Sequence, residues 1–201
     1  MTQQFTQTEA DHHNALVKRA GELSEGLIFI HDAYPPRRLS WLKRRRMRKA
    51  IQYYKEALEI NPAGWSSMWF IGKIYQRLGD HATSLEWFTR AYMLNPTDPN
   101  MAREAGLAAL DCGEAKTALT FCQAAVDNKP DDYGLLCNLA LAHMLSGNDE
   151  AAVQCATRAV EADPTDEISA NVQKLVCDVR DGKCHRPKTM EEAFPNEIHV
   201  E

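Results

Sequence analysis

The sequence predicts an all-α fold in which pairs of helices repeat along the chain. Four prolines lie 34 residues apart: Pro62, Pro96, Pro130 and Pro164. Three glycines keep the same spacing: Gly79, Gly113 and Gly147. Each interval between prolines holds two segments of helical periodicity, and a glycine separates them. A fixed period of this length predicts stacked helical pairs, because one pair cannot bury its own apolar face.

The first repeat, which we assign to residues 8–64, is predicted to be atypical. The 34-residue phase places a helix over residues 31–44. Pro35 and Pro36 lie within that range, and a proline pair is not tolerated in a helix interior. The chain therefore departs from its own repeat at this point, and we expect an insertion.

The insertion divides the first repeat into two helices and a loop. We predict a first helix over residues 8–30, a loop over 32–39, and a partner helix from the N-cap Ser40 to Ile60. The partner helix is then about two turns longer than a standard repeat helix. We call the inserted segment 32–49 the basic arm.

Three regular repeats follow the first one, and a helix and a tail follow them. The repeats cover residues 65–98, 99–132 and 133–166. Residues 167–183 are predicted to form an unpaired capping helix, because the end of a repeat array needs cover. Residues 184–201 are polar and contain two prolines, so we expect an extended or disordered tail. We expect residues 1–183 to form a single domain.

The repeats resemble those of the tetratricopeptide repeat family. When each repeat is numbered from its first residue, that family has small residues at positions 8, 20 and 27 and larger ones at 4, 7, 11 and 24. The repeat at 65–98 gives this set, with its terminal proline: Met68, Ile71, Gly72, Tyr75, Ser84, Phe88, Ala91 and Pro96. Small residues let two helices cross closely while larger ones fill the gaps. The resemblance implies a right-handed α-solenoid whose first helices line a concave groove.

The resemblance also assigns a set of groove residues that would bind an extended peptide or a helix. They are Trp69, Lys73, Gln76, Arg103, Leu107, Leu110, Cys137, Leu141 and Met144. The carboxylate clamp of some family members is not matched, since Trp69 and Gly134 stand at clamp positions. Apolar residues at helical spacing also pack between helices. The groove is alternatively covered by the chain's own tail, with Phe194 and Ile198 as plugs.

The basic arm holds eight of the 23 Lys and Arg residues, all of them in positions 35–49, where there is no acid. They are Arg37, Arg38, Lys43, Arg44, Arg45, Arg46, Arg48 and Lys49. One interpretation is an exposed arm that Leu39, Trp41 and Leu42 merely dock. The second is contact with an acidic or phosphate-bearing partner. A nuclear-localisation signal is the third.

Composition narrows the class of protein. The formal net charge is −5, so the rest of the chain is strongly acidic, and a nucleic-acid partner is not favoured. The first residues lack the features of a secretory signal, and no apolar run is long enough to span a bilayer. The six cysteines are therefore expected to be reduced packing residues in a cytoplasmic protein. No motif for catalysis, a metal or a cofactor is present, so we expect no enzyme.

These observations predict a non-enzymatic protein-interaction module, either an adaptor or chaperone-like. Its concave groove would hold a peptide or helix, and the basic arm would contact an acidic partner. The alternative is a structural subunit or assembly factor that docks through its outer face or ends, with its groove self-filled. Exposed apolar end repeats would also permit a homodimer.

Overall fold

The computed structural model describes residues 6–28 and 39–194, and all regular elements in these ranges are α-helices. The helices in chain order are α1 (Gln7–Ser24), α2 (Trp41–Ile60), α3 (Trp65–Leu78), α4 (His81–Leu94), α5 (Pro99–Asp111), α6 (Ala115–Asn128), α7 (Tyr133–Leu145), α8 (Asp149–Ala162), α9 (Glu167–Arg180) and α10 (Met190–Ala193). The predicted all-α class is confirmed. The predicted loop 32–39 lies almost entirely outside the described residues.

The 34-residue phase recurs in the residues that start and end the helices. Asp98, Asp132 and Asp166 are the N-caps of α5, α7 and α9, and each carboxylate accepts a hydrogen bond from a backbone N–H of the first turn. Gly79, with φ of 83°, ends α3 in the left-handed region. Such a backbone favours glycine because a Cβ would come too close to the carbonyl oxygen of the adjoining backbone. The capping residues of the helices therefore follow the 34-residue period, as the core residues do.

The first compact unit, Met1–Leu94, contains α1 to α4. Each helix packs against the next one along the chain. The Tyr54 ring of α2 stacks on the Phe70 ring of α3 at 5.3 Å between centroids. Tyr54 is 1% exposed, and burial raises the pKa of its hydroxyl to about 12. This aromatic pair joins the atypical first repeat to the regular one that follows.

The second compact unit, Asn95–Glu201, contains α5 to α10. Helices α5 to α9 pack in chain order, and α7 also packs on α5 and α9. The helix predicted over 167–183 is observed as Glu167–Arg180. Beyond it, the tail forms one helical turn, α10, which lies against α5.

Small residues bring the two helices of each regular repeat into close contact. A Cβ added to Gly72 would meet the Phe88 ring at 2.7 Å, and one added to Gly106 would meet Cys122 Sγ at 2.7 Å. In the next repeat the equivalent pair is Ala140 and Ala156, both 0% exposed. Where the facing residue is as small as alanine, alanine takes the place of glycine, which keeps the interior close-packed.

Candidate protein-binding surfaces

The first half of α2 carries six cations, which we call the cationic surface: Lys43, Arg44, Arg45, Arg46, Arg48 and Lys49. All are exposed except Lys43, which is half-buried. The helix begins at Trp41, and the Ser40 side chain accepts a hydrogen bond from the Lys43 N–H at 3.4 Å, as the N-cap prediction requires. Arg37 and Arg38 of the predicted arm lie outside the described residues.

The positive charge of the cationic surface is not neutralised within the described residues. None of its six side chains forms an ion pair with a carboxylate there, and no acid lies in the first turn of α2. Arg46 Nη2 donates to the Glu22 carbonyl oxygen at 3.2 Å, which fixes one guanidinium without cancelling its charge. Burial, and then the nearby charge of Arg44, lowers the pKa of Arg77. Like charges are therefore crowded on this side of the unit.

Aromatic rings lie among these cations. The Arg45 guanidinium lies 5.7 Å from the centroid of the Trp41 ring. Arg19 of α1 and Lys49 lie 5.2 Å and 5.8 Å from the Tyr53 ring. Arg19 and Tyr53 were absent from the sequence prediction. No local signal marked them, because Arg19 reaches the surface from a different helix.

The surface also exposes apolar area. Trp41 is 66% exposed and Leu42 is 63% exposed. Both side chains are therefore accessible to a partner, and the interpretation in which they dock the arm onto the fold stays a prediction. A large aromatic and a leucine next to uncompensated cations form a mixed surface, which is typical of protein contacts.

In the first unit, the predicted groove residues form a cation–aromatic stack on α3. Lys73 is 7% exposed, and its ammonium lies 5.7 Å from the centroid of the Trp69 ring. Trp69 packs edge-on against Phe70 at 5.0 Å between centroids. Trp69 and Gln76 are half-buried. Their assignment to partner binding stays a prediction.

In the second unit, most of the predicted groove residues lie inside the protein. Four of them are at most 3% exposed: Leu110, Cys137, Leu141 and Met144. Leu107 and Arg103 are half-buried, and Arg103 forms an ion pair with Glu104 at 3.2 Å. Phe194 is half-buried, and Ile198 lies outside the described residues. The binding role of these side chains also stays a prediction, and four of them would need to be uncovered first.

The six cysteines are free thiols, and burial suppresses the ionisation of three of them. Burial raises the pKa of Cys122 to about 12, and it also raises the pKa of Cys137 and Cys155. Thiols of this kind stay protonated and unreactive at neutral pH. Over the part of the chain that is described, no cluster of three or more His, Cys, Asp or Glu side chains is arranged to hold a metal ion.

The geometry of capped helical pairs at a 34-residue period defines a class of repeat protein. The tetratricopeptide repeat pattern matches residues 41–102 and 103–167, so the chain belongs to that family. A 65-residue part of the chain is 34% identical to the 131 kDa subunit of transcription factor tau from Saccharomyces cerevisiae. This match covers 32% of the chain and only 6% of that subunit.

Solved structures with the same fold share few identical residues with the chain. MamA from Desulfovibrio magneticus RS-1 has a TM-score of 0.66 and 20% identity, over 94% of this chain and 93% of that one. YrrB, described as a TPR protein with an unusual peptide-binding site, has a TM-score of 0.61 and 16% identity, over 76% and 77%. The first TPR of Spaghetti (RPAP3), bound to the HSP90 peptide SRMEEVD, has a TM-score of 0.54 and 15% identity, over 58% and 93%.

Tetratricopeptide repeats are protein-interaction scaffolds, which is the class of function that the fold supports. Within residues 6–28 and 39–194, no helix combines the length and the apolar character that a bilayer crossing demands.

Proposed function

We propose that this protein is a non-enzymatic adaptor of the cytoplasm that binds an acidic segment of a partner protein through the cationic surface of its first unit. The observation that carries this proposal is that none of the six cations from Lys43 to Lys49 forms an ion pair with a carboxylate among the described residues. Two of the solved structures with this fold are named for peptide binding, which supports a peptide or a segment of protein as the partner.

The energetics of α2 support a role outside the fold. Cations near the N-terminus of a helix are disfavoured by about 0.3–1 kcal/mol each, since the helix dipole is positive there. Lys43 and Arg44 lie in that first turn. The charge of Arg44, after burial, lowers the pKa of Arg77, so like charges lie close together here and local helix stability does not explain the cluster. A partner with negative charge would relieve both terms.

The exposed Trp41 and Leu42 favour a protein segment over a polyanion without apolar groups. An acidic segment with aliphatic residues would place its carboxylates on the guanidinium groups and its apolar side chains on these two residues. Arginine is suited to this contact, because its guanidinium binds a carboxylate with two hydrogen bonds. The partner chemistry is therefore acidic and amphipathic.

A charge-reversal triple tests the proposal. Arg45, Arg48 and Lys49 lie along one exposed side of α2, because residues three and four apart share a helix face. A fluorescent synthetic peptide of Glu interspersed with Leu should bind the wild-type chain, and affinity should fall at least tenfold in Arg45→Glu/Arg48→Glu/Lys49→Glu. Fluorescence anisotropy measures both.

The second unit offers a matched control of equal charge change. Lys116→Glu/Lys129→Glu/Lys174→Glu alters three exposed side chains that form no ion pair in the described part of the chain, and its affinity should stay within twofold of wild type. If both triple variants weakened peptide binding equally, only net charge would matter, and the proposal would be contradicted. A single-stranded oligonucleotide of equal charge that bound more tightly than the peptide would reassign the surface to nucleic acid.

A further inference from the structure

The C-terminal residues 184–194, which we call the strap, turn back onto the second unit after α9. Arg186 donates to both carboxylate oxygens of Asp149, at 2.7 Å and 2.9 Å, and also to the Met144 carbonyl oxygen. Asp149 is the first residue of α8, and Met144 lies in the last turn of α7. Arg186 thus binds both ends of the turn that connects the two helices of one repeat.

Two residues further on, the strap crosses the equivalent turn of the preceding repeat. The Lys188 carbonyl oxygen would lie 2.7 Å from a Cβ added at Gly113. The glycines of the other turns, Gly79, Gly147 and Gly182, would place a Cβ in open space. Pro187, between the two contacts, is buried. The strap therefore lies on a defined surface of the repeats, which we call the track. Asp149 and Met144 bind the guanidinium of Arg186, Pro187 is buried, and Gly113 lies under the backbone of Lys188.

The ion pair that holds the strap is accessible to solvent. Arg186 and Asp149 are partly exposed, with 35% and 26% of their side-chain surfaces accessible. Most other strap side chains are exposed, while Met190 and Phe194 are half-buried. Partly exposed ion pairs stabilise weakly, and ordering a chain segment opposes binding. Elements held in this way open more readily than the packed core.

The acceptors of the track belong to the repeats and not to the strap. Asp149 lies at the start of α8, where the helix dipole favours a carboxylate, and Met144 presents a carbonyl at the end of α7. The second unit as a whole carries 19 Asp and Glu against 9 Lys and Arg, while the strap opens with the basic sequence His185–Lys188. A basic segment is thus attracted to this unit by charge.

We propose that this track is a peptide-binding site for a partner segment that carries arginine followed by proline, and that the strap is its intramolecular occupant. The residue before a proline is confined to extended backbone, so an Arg-Pro pair presents its guanidinium with little further loss of entropy. The partner segment displaces the strap and takes the same hydrogen bonds. The site is separate from the cationic surface and selects the opposite charge.

A peptide supplied in trans tests the site on the full chain. The probe is a labelled peptide of residues 183–194 with Ser in place of Cys184. It should bind the Arg186→Ala/Pro187→Ala chain, whose strap is released, at least tenfold more tightly than the wild-type chain. Equally weak binding to both chains would overturn the proposal.

Matched variants assign the contact. In the released background, Asp149→Asn should weaken the peptide at least tenfold, whereas Glu150→Gln removes a neighbouring acid of the same turn and should change affinity less than twofold. A peptide with Arg186→Lys should also bind more weakly, since an ammonium cannot donate the bidentate pair. Equal effects of Asp149→Asn and Glu150→Gln would show that only net charge matters, against the proposal.

A second measurement leaves the strap sequence intact. Gly113→Ala and Gly147→Ala introduce the same residue at left-handed positions with φ of 71° and 82°, but only the first points a Cβ at the strap. Amide hydrogen exchange over residues 185–194 should accelerate in Gly113→Ala and not in Gly147→Ala. Equal exchange would count against the track. The wild-type chain could instead form a dimer as its concentration rises, and the dimer could be lost in Arg186→Ala/Pro187→Ala. That result would overturn the partner segment as occupant and assign the site to the strap of a second copy.

Discussion

The two compact units share one repeat architecture and carry opposite chemistry. Residues 1–94 hold 14 Lys and Arg against 9 Asp and Glu, whereas residues 95–201 hold 9 against 19. The first unit displays cations with no carboxylate partner in the described residues, while the second binds its own basic strap. The repeat fixes only the positions that pack, such as Gly72 and Phe88. Outward positions are free to differ, so function is placed there.

The two units also differ in the residues that can report on their unfolding, so the stability of each unit can be measured separately. All four tryptophans lie in the first unit: Trp41, Trp65, Trp69 and Trp87. All six cysteines lie in the second: Cys112, Cys122, Cys137, Cys155, Cys177 and Cys184. Tryptophan fluorescence therefore follows the unfolding of one unit, and thiol accessibility follows that of the other.

The largest expected effect compares the two glycine contacts. Gly72→Ala forces a methyl group against the Phe88 ring, and overpacking of this kind costs about 1–3 kcal/mol, against about 1 kcal/mol gained in helix propensity. We expect the free energy of unfolding to fall by up to about 2 kcal/mol, measured by urea titration with tryptophan fluorescence. An unchanged midpoint would mean that the ring moves aside freely.

The second unit supplies the internal control for this contact. Gly106→Ala meets the Cys122 sulfur, and the double variant Gly106→Ala/Cys122→Ala recreates the Ala140–Ala156 pair of the next repeat. We expect the single variant to destabilise and the double variant to recover most of the loss, as thiol accessibility during urea unfolding will report. A double variant less stable than the single one would contradict volume compensation.

A smaller effect is expected from the ion pair of the strap, and it depends on pH. The hydrogen bonds from Arg186 hold the pKa of Asp149 below its usual range. Because the folded pKa is lowered, this stabilisation is complete above about pH 4–5 and is lost as the pH falls through the lowered value. A ¹³C NMR titration of the Asp149 carboxyl carbon should give a lower pKa in the wild type than in Arg186→Ala. Identical values would show that the ion pair does not form in solution.

The smallest expected effect concerns Trp41. Its side chain is 66% exposed, and its cation–π contact with Arg45 is worth about 0.5–1 kcal/mol at an exposed site. We expect Trp41→Ala to change the free energy of unfolding by no more than about 1 kcal/mol, while it weakens binding of the acidic peptide. A Trp87→Ala variant removes a 9%-exposed ring from the same unit and should destabilise more than Trp41→Ala. If both variants were equally destabilised, Trp41 would be a packing residue.

Local pattern was sufficient for the helices and insufficient for the surfaces. The start of α2 followed from Ser40, and the first residues of α5 and α7 coincide with the predicted starts of the repeats at 99–132 and 133–166. The phase did not reveal that Leu110, Leu141 and Met144 are almost fully buried. Burial depends on which helices pack against a side chain, and α7 packs on α5 and α9 as well as on its neighbours in the chain.

The sequence by itself determined the helical pairs, their caps and the unbalanced charge, since each of these depends on residue type at short spacing. Only the tertiary structure decided which cations stand without a partner and which carboxylate has one. Arg186 lies 37 residues from Asp149 in sequence. Arg19 and Lys49 meet over Tyr53 from different helices. Contacts of this kind join residues that are distant in sequence, so they exist only when the chain is folded.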